Sequence, residues 1–183
     1  MKDRSYGLSS ILYTEWIRPI ADYYLVIKRN EVAFEIVMPA IIAIGASILY
    51  YKHSAVYSAL DGLAEILPAA ISILIGFTVM LVTLLLTSSS RNMDKLKRVL
   101  QNKMLHNQKV TLYQELLIQF SHSLFSEVIL LLVIFFYLFL KGLNWIKGYE
   151  CIFLACEVYF ILNILLSIMR GITNLYFSFY RTD

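Results

Sequence analysis

Residues 121–142 read SHSLFSEVILLLVIFFYLFLKG, and this stretch decides the class of fold. Between Glu127 and Lys141 the run is apolar except for the hydroxyl of Tyr137. A helix that crosses a bilayer core needs about 20 mostly apolar residues, and the segment Phe120–Leu140 supplies them. The stretch therefore predicts a transmembrane helix, and it raises the question of why a carboxylate stands near its beginning.

The rest of the chain has the same character. Of 183 residues 59% are apolar and only 16% are charged, whereas soluble domains are about 45–50% apolar. Three further runs have the length and composition of spans: Val32–Tyr51, Ile66–Thr87 and Cys151–Met169. The runs are continuous, and strands of a membrane barrel would instead alternate. We therefore predict an all-α integral membrane protein with four transmembrane helices.

The basic residues are distributed unevenly across the predicted membrane. Thirteen fall in the N-terminal segment, in the loop 88–117 and at the C-terminal end, and three (Lys52, Lys141 and Lys147) fall on the other side. Lys and Arg are enriched in cytoplasmic loops of membrane proteins. The pattern predicts cytoplasmic N- and C-termini and short outer loops at about 52–65 and 141–150.

Two regions follow from this division. Residues 1–31 predict an interfacial or cytoplasmic N-terminal helix, since Trp16 and Ile20 share one helical face and charged residues lie on the other. Pro19 is expected to kink this helix. Residues 32–183 form the predicted four-helix transmembrane domain.

This second region includes a predicted cytoplasmic extension at 88–117. No Gly or Pro occurs between Gly76 and Gly142, so we expect the second and third spans to continue as a helical hairpin that turns near His106–Lys109. Its apolar stripe could belong to a solvated amphipathic helix, or its basic face could dock a partner or lipid. The stripe contains Met93, Leu96, Leu100 and Met104, and the docking residues would be Lys95, Lys97, Arg98 and Lys103.

Small residues mark candidate helix-packing faces. Membrane helices pack through small side chains because lipid tails provide no hydrophobic drive between them. Ser72, Gly76 and Thr83 share a stripe on the second span, and Ala43 and Ser47 share one on the first. These faces could pack within one bundle or between protomers.

Polar side chains inside the predicted spans are the candidate functional residues. A charged side chain at mid-helix costs roughly 2.5–3.5 kcal/mol on insertion scales, so such residues need an explanation. Those on the predicted cytoplasmic half or near the centre are Glu35, Glu127, His122, Asn163 and Arg170, and Glu157 lies on the outer half.

Three interpretations of Glu127 are open. An inner cluster would pair Arg170 with Glu35 or Glu127 and fix the helix register. A polar lining would conduct ions or protons, with Glu127 titrating. If the third helix began at Val128, Glu127 would be interfacial. Glu157 could face the outer lysines, or it could form an acidic ring in an oligomer.

The motif inventory does not favour an enzyme. The sequence contains no HExxH, G-x-S-x-G, P-loop or CxxC motif, and its three histidines lack metal-ligand spacing. We therefore expect no catalytic residues, cofactor or metal. Acidic residues are interleaved with the basic ones, and no nucleic-acid-binding module is present, so direct nucleic-acid binding is not expected.

The layout resembles one known family. A basic N-terminal segment ends in YYLVIKRNEVAFEIVMPAIIAIG, the second span ends in TLLLTSSSRNMDKLK, and the third is entered through YQELLIQFSHSLFSEVILLL. In size, span number and layout this resembles the KwaA family, the small four-span membrane components of the bacterial Kiwa antiphage defence system. The resemblance implies a homo-oligomer in the bacterial inner membrane that senses infection and works with a soluble KwaB-like partner.

Two functional hypotheses result. The first is an inner-membrane sensor or scaffold of an antiphage system, embedded in membrane lipids, that couples a membrane event to a cytoplasmic partner protein. The alternative is an oligomeric ion- or proton-conducting pore that depolarises the membrane, which the intramembrane carboxylates would favour.

Overall fold

The computed structural model describes residues 18–53, 56–89, 91–105 and 108–180. Within these ranges four helices are long and apolar enough to cross a membrane, which confirms the prediction of a mostly helical, multi-pass membrane protein. The spans are Asn30–Lys52, Val56–Thr87, Leu112–Gly142 and Glu150–Phe177. The predicted aromatic anchor Trp16 lies outside the described residues.

The elements follow one another with short connections. The first half contains α1 (Arg18–Val26), α2 (Arg29–Val32), a π-helical turn (Ala33–Val37), α3 (Met38–Lys52) and α4 (Val56–Thr87). The second half contains α5 (Arg91–Arg98), β1 (Leu100–Leu105), β2 (Gln108–Thr111), α6 (Leu112–Gly142) and α7 (Glu150–Tyr180).

The predicted outer loop at 52–65 is wrong for most of its length. Helix α4 already begins at Val56, and Pro68 is accommodated inside it. Val56, Leu60 and Ala64 are buried at a spacing of four residues and pack into the core of the bundle. The boundary was misplaced because Asp61 and Glu65 lower the local hydropathy, although a helix can carry such residues on its outer face.

The predicted helical hairpin at 88–117 is also wrong in its second part. Among the described residues between the end of α4 and the start of α6, only α5 is helical. The chain then forms an antiparallel hairpin in which Leu100 pairs with Thr111 and Leu105 with Gln108. The β-branched residues Val110 and Thr111 favour strands. The chain therefore reverses inside the predicted turn, but between strands rather than helices.

This change of structure splits the predicted apolar stripe. Met93 and Leu96 of α5 are buried, whereas Leu100 and Met104 of β1 are exposed. Helical spacing no longer applies beyond Arg98, since residues of a strand alternate between two faces.

The last residue of the hairpin starts the third span. The Thr111 hydroxyl accepts a hydrogen bond from the backbone N–H of Gln114, and the Gln114 side chain accepts one from the backbone N–H of Thr111. This capping box satisfies two otherwise unpaired donors at a helix N-terminus. Helix α6 therefore begins eight residues before the predicted span start at Phe120.

Helices α6 and α7 form the centre of the bundle, with α3 packed on α7 and α4 packed on α6. The main core includes Leu130, Ile134 and Leu154. A second cluster joins α5 to α4 and α6 and contains Phe120, which is fully buried. A Cβ atom at Gly171 would lie 2.8 Å from the Phe120 ring, so the missing side chain permits this close contact between α6 and α7.

The bundle has two different ends. We call the one that carries α1, α5 and the β-hairpin the hairpin end, since α1 contacts both α6 and β1 there. Among the described residues, the other end carries the short connections that follow Lys52 and Gly142.

Candidate functional site

The side chain of Lys103 lies at the centre of the hairpin end. Lys103 belongs to β1, but only 4% of its side chain is exposed. Its Nζ atom lies 2.6 Å from Oε1 of Glu115 and 3.0 Å from Oε2 of Glu31. A further contact of 3.2 Å joins Nζ to Oε1 of Glu31. The ammonium group has three N–H donors, and these three contacts to two carboxylates use all of them. Lys103 therefore joins the hairpin to the first and third spans.

Arg170 extends this cluster to the fourth span. Its Nη1 atom lies 3.0 Å from Oε2 of Glu31, and its Nε atom lies 2.9 Å from Oε1 of Glu35. The structure thus brings Glu35 and Arg170 together, as the inner-cluster interpretation expects. We refer to the five charged residues as the hairpin-end network: Glu31, Glu35, Lys103, Glu115 and Arg170.

Helix α1 closes the network from the side. The Tyr23 hydroxyl donates a hydrogen bond to Glu35, and the Tyr23 ring stacks on His122 with ring centroids 3.7 Å apart. The guanidinium carbon of Arg170 lies 5.8 Å from the same ring. Burial, followed by the hydrogen bond to Glu35, raises the pKa of the Tyr23 hydroxyl far above its usual value. Tyr23 therefore remains a protonated donor to Glu35.

The π-helical turn carries Glu35 into this position. Asn163 of α7 donates a hydrogen bond of 2.7 Å to the backbone carbonyl of Glu35, and both residues are buried. The wide turn and the Asn163 amide together fix this part of the first span against α7. Single π-helical turns occur frequently at functional sites.

Glu127 lies deeper and makes fewer contacts. The hydroxyl of Thr78 on α4 donates a hydrogen bond of 2.8 Å to Oε1, while Oε2 has no hydrogen-bond partner within the described parts of the chain. Helix α6 begins fifteen residues earlier, at Leu112. The third helix therefore does not begin at Val128, and the depth of Glu127 in a membrane stays a prediction. Arg170 pairs with Glu35 and Glu31 rather than with Glu127.

Glu157 is a fully buried acid on α7, and the described residues provide no hydrogen-bond partner for either of its carboxylate oxygens. Among the described residues, none of the predicted outer lysines donates a hydrogen bond to Glu157. Lys141 pairs with Asp61 at 2.6 Å, and Lys52 and Lys147 are exposed.

The small-residue stripes face different directions. Ala43 and Ser47 are buried, and the Ser47 hydroxyl donates a hydrogen bond of 2.9 Å to the Ala43 carbonyl. Ser72, Gly76 and Thr83 lie on the exposed face of α4. A packing role for this second set would need another chain and stays a prediction.

The basic surface predicted for docking is smaller than expected. Lys95, Lys97 and Arg98 are exposed on α5, and the Lys97 ammonium lies 5.4 Å from the centre of the Tyr113 ring. Lys103 does not belong to this surface. Its strand position directs the side chain into the hairpin-end network, which corrects the prediction made from a helical hairpin.

Three members of the site were missed in the sequence: Tyr23, Glu31 and Glu115. Glu31 had a usable signal, because it precedes Glu35 by four residues and so shares its face in a helix. Glu115 had none, since its partner Lys103 reaches it only through the strand pairing. Within the described residues, no group of three or more His, Cys, Asp or Glu side chains could hold a metal ion.

The fold and the site define a class: a multi-pass helical membrane protein whose spans are tied to a β-hairpin by ion pairs of a buried lysine. No known protein family, curated protein or solved structure matches the chain in sequence or fold.

Proposed function

We propose that the protein is an inner-membrane sensor or scaffold of a bacterial antiphage defence system, which couples a membrane event to a cytoplasmic partner. The observation that carries this proposal is the burial of Lys103 of the β-hairpin between carboxylates of two spans. The resemblance in layout to the KwaA family supports the defence role, the homo-oligomer, the bacterial inner membrane and a KwaB-like partner. The uneven distribution of basic residues supports a cytoplasmic hairpin end.

The ion pairs provide the coupling. Glu31 belongs to the first span, Glu115 to the third and Arg170 to the fourth, so a shift of one span changes the surroundings of Lys103. Removing one partner of a buried ion pair costs about 3–5 kcal/mol. The hairpin therefore moves with the spans, and a membrane perturbation reaches the extramembrane surface.

The exposed basic residues of α5 form the docking surface in this proposal. Lys95, Lys97 and Arg98 lie next to the hairpin and are free of the buried network. An acidic surface on the partner would complement them and would accelerate association.

The test is charge reversal followed by co-purification from membranes. The triple variant is Lys95→Glu, Lys97→Glu, Arg98→Glu, and it is expected to insert into the membrane normally. It should no longer co-purify with the co-expressed product of the neighbouring gene, and it should no longer protect cells against phage. The control variant Lys52→Glu, Lys147→Glu changes exposed lysines at the opposite end and should keep both. Full recovery of the partner by the triple variant would contradict the proposal.

A conducting pore is the second candidate, and the buried, unpartnered Glu157 favours it. In this candidate Glu127 and Glu157 line a path for protons or cations through an oligomer. Proteoliposomes with the intact protein should then show flux that Glu127→Gln or Glu157→Gln lowers. Absence of flux from the intact protein, with or without the partner, would remove this candidate.

A further inference from the structure

A groove opens between the first span and α7 at the hairpin end. Its volume is about 390 Å³, within the range of about 300–1,000 Å³ typical of ligand sites. Its charged part contains Glu31, Glu35 and Arg170 of the network, and its apolar walls include Phe34 and Met169.

The groove faces outward from the bundle. Phe34 is 60% exposed and Met169 is 64% exposed, so both present apolar surface to the surroundings of the helices. Glu31 and Glu35 lie in the first turns of the span Asn30–Lys52, and Arg170 lies near the end of the span Glu150–Phe177. The ends of spans are where headgroups meet the hydrocarbon core. A lipid therefore meets the apolar walls with its chains and the charges with its headgroup.

The charges favour a cationic headgroup with a neighbouring anion. The network contains three carboxylates and two cations. Lys103 donates all of its hydrogen bonds to Glu31 and Glu115. The Glu31 side chain remains 23% exposed, and that of Arg170 remains 19% exposed. An ammonium group can thus reach a carboxylate while a phosphate reaches the guanidinium.

We propose that this groove binds one phosphatidylethanolamine molecule. The primary ammonium donates a hydrogen bond to the partly exposed Glu31, the phosphate pairs with Arg170, and an acyl chain lies against Phe34 and Met169. The three N–H donors of the ammonium distinguish this lipid from phosphatidylcholine, whose trimethylated nitrogen has none. The net negative charge of the network disfavours phosphatidylglycerol. This inference requires only that the spans lie in a membrane, and it does not rest on the proposed function.

The test is native mass spectrometry of the detergent-purified protein with equal amounts of the three phospholipids. The wild-type protein should retain phosphatidylethanolamine in preference to the other two. Thr173→Phe fills the groove and should weaken that retention at least roughly tenfold. Ile172→Phe is the control, because Ile172 is exposed on the same turn and lies outside the groove. Phe34→Ala, on the opposite wall, gives a second variant that adds no bulk.

Each other result overturns the proposal. Equal retention of the three lipids, or a preference for phosphatidylglycerol, would show that the carboxylates do not select the headgroup. Retention that survives both Thr173→Phe and Phe34→Ala would place the lipid elsewhere. Dissociation of an oligomer by Thr173→Phe, with unchanged lipid retention, would assign the groove to a second copy of the chain. Displacement of the lipid by free ethanolamine at equal concentration would assign the site to a small amine.

Discussion

The bundle contains two sets of acidic side chains, and they differ in whether a basic side chain lies within ion-pair distance. At the hairpin end Glu31, Glu35 and Glu115 all meet Lys103 or Arg170. Deeper in the bundle Glu127 has a single hydroxyl partner, and Glu157 has no hydrogen-bond partner among the described residues.

The difference separates two uses of a buried acid. A paired acid holds elements together. Separating the pair leaves a buried charge unpaired, and the free-energy cost of that charge exceeds the net stabilisation that the pair provides. An acid without an ion-pair partner does not connect two elements. Its role must therefore be something other than stabilising the fold of a single chain. Substitutions that remove a partner, a contact or a charge test this difference between the two sets of acids.

The largest expected effect is that of Lys103→Met. This change leaves the buried Glu115 without its cation and removes one of the two cations that pair with the partly exposed Glu31, and we expect the free energy of unfolding to fall by about 3–5 kcal/mol. Thermal unfolding in detergent measures it, as a lowered midpoint. Lys109→Met is the control on the same hairpin, because Lys109 is exposed, and it should stay within about 0.5 kcal/mol of wild type. Equal midpoints for the two variants would mean that the network does not stabilise the fold.

Gly171→Ala should have the next largest effect. The added Cβ would lie 2.8 Å from the ring of the fully buried Phe120, and overpacking typically costs about 1–3 kcal/mol. Gly76→Ala meets no atom within 4 Å and should not destabilise the protein. The same unfolding assay compares them, and a stable Gly171→Ala variant would show that α6 and α7 can separate at this point without penalty.

Thr78→Val isolates the single hydrogen bond of Glu127. Valine keeps the shape of threonine but removes the donor, so we expect a loss of about 1 kcal/mol. The control is Thr83→Val on the exposed face of the same helix, where no change is expected. If the Thr78 variant were as stable as wild type, Glu127 would have to obtain its hydrogen bond from another source.

The smallest effect is expected for Glu157→Gln, below about 1 kcal/mol, because the amide keeps the shape and no ion pair is lost. Glu35→Gln gives the contrast, since it weakens the contact to Arg170 and should destabilise the protein clearly. Both are measured by thermal unfolding of the detergent-purified protein. A large loss for Glu157→Gln would reveal a partner contributed by a neighbouring protomer.

Much of the fold could be predicted from the sequence because hydropathy is a local property. The four spans follow from continuous apolar runs, and the sequence offers Glu35 and Glu127 as alternative partners of Arg170 without deciding between them. The β-hairpin could not be predicted, since no Gly or Pro marked a break after α5. Lys103 was consequently placed on a helix surface, although its partner Glu31 lies 72 residues away in the chain. Contacts of that separation depend on how the elements pack, which no short window of sequence contains.

The π-helical turn at Ala33–Val37 also adjusts the phase of the first span. Glu31, Glu35, Pro39, Ala43 and Ser47 recur every four residues, and in an uninterrupted α-helix this stripe would drift by about 160° around the axis over its length. The wide turn absorbs one residue and reduces the drift to about 60°. The acids at one end of the stripe and the small residues at the other can therefore face the same neighbouring helix, α7. A return to regular α-helical winding at unchanged chain length would rotate the two halves of the stripe about 100° apart.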